Sequence, residues 1–330
     1  MIVDVHTHFL PPRVVSAPSF DEADIEYEVR IGDDSDSHLF EKRGHADGFS
    51  VSQLTDVRRR QVDMDEMGVD MQVLSVPPPF GFFYEHGLRE AERLGAVLNH
   101  GIAAAVAAQP KRFLGLATLP MQDTAAAIRT LEHSIRDLGL RGAEIASRIG
   151  ERNLDDPSLD EFFAAAESLG AVIFVHSTRG IAADRLANYH FGNLIGNPTE
   201  DAIAAASLIF GGRIERYPHL RLYIAHGGGS CAAISGRWDR GWATRPEARR
   251  NIAAPPSTYL RQMSFDSLTH SSEQLENLVR VTGPGQVLVG TDYPYDMAEP
   301  DPVGRIRQTN LDSDVQEQLL SGNAARMFNL

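Results

Sequence analysis

The sequence holds 330 residues, 42% hydrophobic and 23% charged, with a formal net charge of −14. That is the composition of a soluble globular protein, long enough for one barrel-sized domain or two smaller ones. The acidic balance speaks against nucleic acid or an anionic membrane surface as a partner, and an anionic substrate would need local cations to capture it.

In chain order, apolar runs that read as strands lie at Ile2–Val5, Met71–Val76, Phe113–Leu119, Gly142–Ile145, Ala171–Val175, Arg221–Ala225, Gln262–Asp266 and Gln286–Gly290. Helical patterns fill the intervals at Thr55–Met67, Leu88–Gln109, Thr124–Leu138, Ser158–Leu169, Thr199–Tyr217, Ser230–Trp242 and Ser272–Val281, with a further helical region after Asp301. Asp123 and Ser158 stand where helix N-caps belong, and Gly139 and Gly170 where helices should end. Eight strands alternating with helices predict a parallel sheet, most simply closed into a single (β/α)8 TIM barrel; an open doubly wound sheet is the competing arrangement.

Between the first strand and the first helix lies an insertion, roughly residues 11–52. Its stretch "DEADIEYEVRIGDDSD" carries eight carboxylates against one arginine. The alternation in "IEYEVRI" predicts a strand of a small antiparallel insertion. In a barrel this loop lies at the catalytic end, where it would serve as a lid or a subunit contact, or else be a solvated excursion. No apolar run nears the ~20 residues needed to cross a bilayer. Polar residues Asp4, His6 and His8 interrupt any secretory h-region. The single cysteine, Cys231, rules out an intramolecular disulfide and fits a cytoplasmic location.

Active-site groups of a barrel sit at the C-terminal ends of its strands. The first strand ends in His6 and His8, two residues apart and therefore on one side. "AVIFVHST" ends in His176, "LYIAHGGGS" in His226 and "VLVGTDYPY" in Asp292. Each residue alone is an ordinary strand-end polar group. Five of them at four strand ends predict a catalytic metal site, and imidazole with carboxylate suits Zn²⁺, and also Mn²⁺ or Fe²⁺. There is no G-x-G-x-x-G or Walker A pattern, and Gly227–Gly229 reads as a tight turn into the next helix. Cys231 reads as a small residue opening that helix rather than a nucleophile.

Together "DVHTH", "FVH", "IAHGGGS" and "GTDYP" resemble the amidohydrolase superfamily. More narrowly, they resemble its decarboxylase branch typified by 2-amino-3-carboxymuconate-6-semialdehyde decarboxylase. "MDEMGVDMQVLS", "LATLPMQD", "NLDDPSLDEFF", "PPSTYL" and "SGNAARMFNL" extend the likeness nearly end to end. The resemblance implies that His6, His8, His176 and Asp292 bind one divalent metal, most simply Zn²⁺ with Mn²⁺ as the alternative, a water completing its shell. It implies His226 beside that water as the proton-transfer residue, with Asp292 in the catalytic set. Strand four reads "RGAEIAS", without the lysine that bridges two metals in many superfamily hydrolases, which favours a single metal; Glu144 is the alternative bridging ligand.

The same resemblance places Arg237 in the neighbouring subunit's site, which implies a homodimer, and sets Tyr189 and Tyr295 against the substrate. The chain departs from the branch at Ser50, where a substrate-binding arginine is expected, and losing a bidentate cation there changes carboxylate recognition. Arg43, Arg148 and Arg179 are the candidate replacements. The function implied is a non-oxidative decarboxylase of a small unsaturated or aromatic carboxylic acid. Two alternatives stay open: a hydrolase or hydratase using the metal's water as nucleophile, and a metal-binding protein without activity.

Overall fold

The computed structural model describes residues 1–11, 28–31, 37–42, 45–178, 181 and 184–330, with backbone alone over 28–31, 37–42 and 45–51 and at 79. Eight parallel barrel strands follow the predicted runs to within a few residues. They are β1 (Val3–His8), β2 (Met71–Ser75), β3 (Phe113–Gly115, resuming at Ala117–Thr118), β4 (Gly142–Ala146), β5 (Val172–His176), β6 (Arg221–Ile224), β7 (Ser264–Asp266) and β8 (Val287–Leu288).

Neighbours in sequence are neighbours in the sheet. Val73 pairs with Leu114, Ala117 with Ala143, Phe174 with Glu144, Tyr223 with Ser264 and Phe265 with Val287. Within β3, Leu116 N donates to Leu74 O at 2.9 Å and keeps the ladder continuous. The ring closes between the first and last strands, where Val5 N donates to Val289 O, Asp292 N to His6 O and His8 N to Tyr293 O, each at 2.8 Å. The expected (β/α)8 barrel is therefore the observed one, and the open doubly wound sheet is excluded.

Inside the barrel, alternate residues of the strands pack on one another: Val5, Val73, Leu116, Phe174, Tyr223 and Leu288. Phe174 and Tyr223 stack at 4.5 Å, and Tyr223 Oη, buried among apolar groups, donates to Val5 O at 2.7 Å. Ala324 and Phe328, from the helix Asn323–Phe328, join this cluster. A second, larger core lies outside the strands and binds the helices to them through residues such as Leu98, Ile145, Phe162, Leu208 and Leu260. Each fully buried side chain of this size contributes about 1.5–3 kcal/mol.

The helices that bear on the site are α1 (Val57–Glu66), α2 (Asn197–Phe210), α3 (Cys231–Thr244) and α4 (Ser272–Thr282). Caps agree with the sequence at Asp123, which accepts from Ala126 N at 2.8 Å, and at Gly170, in the left-handed conformation after Leu169. Two boundaries differ. Asp156 rather than Ser158 caps the helical segment before β5, accepting from Ser158 N at 2.9 Å, because a carboxylate two residues earlier reaches the free amide first. The single helix expected over 199–217 breaks at Gly211–Gly212, where Gly212 takes φ +76° against Asn251. Within the insertion, strands Glu28–Ile31, Ser37–Lys42 and His45–Ser50 form the expected antiparallel sheet, with Val29 opposite Phe40 and Leu39 opposite Gly48.

The turn after β6 leaves no room for side chains. Gly227, Gly228 and Gly229 all have positive φ, and a Cβ on Gly229 would lie 1.8 Å from Pro198 O at the start of α2. Replacing Gly229 by alanine is expected to destabilise the protein by at least about 2 kcal/mol, from left-handed strain plus the clash. A shifted urea midpoint reads this out; an unchanged midpoint would show that α2 can retreat freely.

Candidate metal centre

Five strand ends converge at the C-terminal mouth. His6 and His8 close β1, His176 closes β5, Asp266 closes β7, and His226 and Asp292 follow β6 and β8. His226 and Asp292 both hold left-handed backbone, φ 53° and 64°. That conformation is costly for residues with side chains and collects at functional sites. Four imidazoles crowd one volume: the His6 ring lies 5.2 Å from His8, 5.1 Å from His176 and 5.3 Å from His226. Asp292 faces them, with Oδ1 3.3 Å from His6 Nε2 and 3.1 Å from His8 Nε2, and Oδ2 3.7 Å from His226 Nε2. One ligand atom each from His6, His176, His226 and Asp292 lies within 4.8 Å of all the others. His8 adjoins this set through Asp292.

The outer nitrogen of three of these rings has its own acceptor. His6 Nδ1 donates to Asp266 Oδ2 at 2.6 Å, His226 Nδ1 to Asp201 Oδ2 at 2.9 Å and His176 Nδ1 to Ser177 O at 2.8 Å. An acceptor on Nδ1 puts the proton there and turns the Nε2 lone pair of a neutral ring inward, as in histidines that bind metals. Nε2 of His6 and of His176 is buried with no hydrogen-bond partner among the described residues. Buried polar atoms are seldom left unpaired. Two inward orphan nitrogens beside a carboxylate therefore fit a cation, and three imidazoles with one carboxylate are a donor set for Zn²⁺.

The electrostatics agree. Burial lowers His8 to about 4, against the pull of Asp292. Burial, then repulsion from His226, His6 and His8, holds His176 well below its usual value. Burial also opposes charge on His6, but Asp292 and Asp266 outweigh it and raise His6 to about 9. His226 rises well above normal, since Asp201 and Asp292 overcome the same burial. Burial works against the anionic form of Asp292, yet His6, His226 and His8 keep it well below the usual carboxylate range. Protons on two rings thus answer the carboxylates where a divalent ion would answer them instead.

Other predicted residues divide. Tyr295 belongs to the site, its ring 5.3 Å from that of His8. Tyr189 is 81% exposed and lines no part of the cavity described below. Arg237 lies exposed on α3 and is not among the residues that line its own chain's cavity. Arg148 pairs with Glu151 at 3.2 Å. Arg43 and Arg179 lie outside the described residues, as does the side chain of Ser50. Glu144 is buried on β4, raised to about 8 by desolvation, with Oε1 unpaired. Cys231 is buried at the start of α3, and burial pushes its thiol up, the reverse of an activated nucleophile.

Three contributors were not singled out from the sequence. Asp266 holds β7 to the site, accepting from His226 N at 2.9 Å, Gly227 N at 2.8 Å and Leu268 N at 3.0 Å as well as from His6. It ends a correctly predicted strand, so the strand-end rule applied to the seventh strand would have found it. Asp201, on α2, has no such signal. Arg60 is wholly buried on α1; it donates to Gln72 Oε1 at 3.0 Å, to Gln53 O at 3.2 Å and to His8 O, and lies 4.6 Å over the Tyr293 ring. Replacing Arg60 by leucine would strand the His8 and Gln53 carbonyls and should cost at least about 2 kcal/mol in denaturant unfolding. No loss there would mean that the β1 terminus is held by other contacts.

A cavity of about 270 Å³ opens on the centre. His226 and Asp292 line its inner end; Asn193, Asn197, Thr269 and His270 supply polar walls, and Leu268 and Leu278 apolar ones. Among the described residues no helix is long and apolar enough to cross a membrane.

With this geometry in place, the comparisons with known proteins agree among themselves. The family model described as amidohydrolase matches residues 3–330. A 2-amino-3-carboxymuconate-6-semialdehyde decarboxylase of Dictyostelium discoideum is 40% identical over 278 residues, 83% of this chain and 76% of that one. The crystal structure of 5-carboxyvanillate decarboxylase from Sphingomonas paucimobilis superposes with a TM-score of 0.83 at 27% identity, covering 100% of this chain and 99% of that one. A dihydroxybenzoic acid decarboxylase from Polaromonas sp. JS666, solved with bound manganese and an inhibitor, shares the fold at a TM-score of 0.80 and 22% identity, over 100% of this chain and 97% of that one.

Proposed function

Because the chain belongs to the amidohydrolase family, we propose that it is a metal-dependent, non-oxidative decarboxylase of a small aromatic or unsaturated carboxylic acid. One observation carries the reading. A carboxylate-backed imidazole, His226, packs with His6, His176 and Asp292 in a compact group fit for a cation, and His226 and Asp292 line one small cavity. The names of the relatives at 40% and 27% identity, both decarboxylases, support it.

His6, His8, His176 and Asp292 are the proposed ligands, and His226 the proton-transfer group. A divalent ion held by these residues would supply a Lewis acid that polarises the substrate oxygens. The ligand set favours zinc, with manganese as its alternative. His226, as the imidazolium that Asp201 and Asp292 favour, delivers the Nε2 proton to the carbon that bears the carboxylate and is left as the neutral ring with its Nδ1–H on Asp201. The bonding pair of the departing carboxylate returns to the unsaturated system, and CO₂ leaves. One proton is consumed per CO₂ formed, with no change of oxidation state of the protein. Asp292 anchors the geometry from the other side, bridging His6, His8 and His226.

Tyr295 bounds the substrate beside His8, and Arg179 and Tyr189 are proposed to complete its recognition from the loop after β5. Arg237, exposed on α3, is proposed to reach the neighbouring site in a homodimer. The insertion is proposed as a lid or subunit contact, and a cytoplasmic home goes with the single buried thiol.

Metal analysis of the purified protein followed by a CO₂-release screen of aromatic and unsaturated acids tests the reaction. One divalent ion per chain and CO₂ release, with deuterium entering the product carbon in heavy water, is the expected result. Metal without CO₂ from any acid, but with water added to a lactone, amide or double bond, would replace decarboxylation by hydrolysis or hydration. Mixing inactive Arg237→Ala and His226→Asn subunits under exchange should restore activity if sites are shared; no restoration removes Arg237 from the neighbouring site.

A further inference from the structure

Asp201 enters the centre from outside the barrel. It sits near the start of α2, is fully buried, and places Oδ2 2.9 Å from His226 Nδ1. No strand supplies it, and it does not line the cavity, whereas His226 does. The helix can bring it so close because the turn after His226 is bare glycine: Gly229 packs directly on the Pro198 carbonyl, three residues before Asp201. The backbone and the ring of His226 are thus held by different carboxylates. Asp266 accepts from the backbone N at 2.9 Å, in a turn whose left-handed φ of 53° fixes where the side chain starts. Asp201 then decides how the ring is turned.

A carboxylate can only accept, so Nδ1 must carry the hydrogen, and Nε2 becomes the nitrogen that faces Asp292 and the cavity. Without that partner, rotation about χ2 puts Cε1 in the place of Nε2, or leaves the ring tilted, at little cost. We infer that Asp201 is a positioning residue for the reaction: it holds the His226 imidazole in the one orientation and hydrogen placement that presents Nε2 to the substrate carbon. The inference rests on the decarboxylase reading for its kinetic consequence, but not for the hydrogen bond itself.

The sharpest test is Asp201→Asn, which keeps shape but offers Nδ1 either a donor or a weaker acceptor. On an acid from which the wild type releases CO₂, kcat should fall at least about a hundredfold, by analogy with a triad aspartate changed to asparagine. KM and metal content should stay within a factor of about two, since the residue touches neither substrate nor the proposed ligands. Asp201→Glu, which keeps the carboxylate, should recover part of the loss. In a His226→Asn background, Asp201→Asn should cost nothing further, because residues that act through one another are not additive. Unchanged kcat, or an equal loss in both backgrounds, would overturn the inference and leave Asp201 a packing residue.

If the wild type releases no CO₂ from any acid, the decarboxylase reading fails, and a spectroscopic arm still decides this one. Zinc-loaded protein should show a downfield Nδ1–H proton resonance that disappears in His226→Asn and moves upfield in Asp201→Asn. A resonance unmoved in Asp201→Asn would overturn the positioning role whatever the reaction proves to be.

Discussion

Replacing His226 by asparagine is expected to lower kcat by about a hundred- to ten-thousandfold while leaving the metal content of the protein unchanged. That span is what a positioned general acid contributes. The asparagine amide is close in size to the imidazole and can still donate to Asp201, so the buried carboxylate keeps a partner. It has no group able to release a proton near neutral pH. Among the described residues, the other inner imidazoles suit that work poorly: His8 and His176 are held neutral by burial and by neighbouring rings. His6 is hydrogen-bonded to Asp266 and faces Asp292. Parallel metal analysis and steady-state kinetics check the expectation. Loss of the ion in His226→Asn would instead make His226 a ligand, as its place within the compact four-atom set allows.

Replacing His176 by alanine should act in the opposite order, emptying the centre first and abolishing turnover as a result. His176 is buried at the tip of β5, its Nδ1–H committed to Ser177 O and its Nε2 turned inward without a partner. Its removal leaves His6, His8 and Asp292, with no ligand from the far side of the barrel. A ligand bound at a thousand times its Kd adds about 4 kcal/mol to the unfolding free energy. Chelator should therefore lower the Tm of the wild type and leave that of His176→Ala where it stands. A variant that retained a stoichiometric ion and full chelator sensitivity would remove His176 from the ligand set.

Much of this arrangement is legible in the residues because barrel strands are short, apolar and regularly spaced. The polar group that ends each apolar run, His6, His8, His176, His226 and Asp292, then falls at the mouth by geometry alone. What escapes is set by partners chosen in three dimensions. Asp201 lies 25 positions before His226 on a different element, and Arg60 meets the His8 carbonyl across 52 residues. No periodicity encodes either pairing. Asp266, at the end of β7, obeys the same strand-end rule and differs only in holding the site through hydrogen bonds to His6 and the His226 turn. Tyr189 and Arg237 show the limit of a single chain: both lie exposed, so a role for either needs a further surface. The helix break at Gly211–Gly212 does have a sequence signal, the Gly-Gly pair, which the apolar pattern running through it outweighs.

The seam of the barrel has a consequence for how the centre comes into being. His8 and Asp292 meet across 284 residues, and the same two segments supply the last hydrogen bonds that close the ring. The ion-binding group therefore does not exist in any nascent chain that has yet to emit its eighth strand. A ribosome-bound fragment carrying β1 through β7 would hold all four histidines, His6, His8, His176 and His226, without Asp292, the carboxylate they face. An ion that needs Asp292 as a ligand can therefore be held only once the eighth strand has closed the ring.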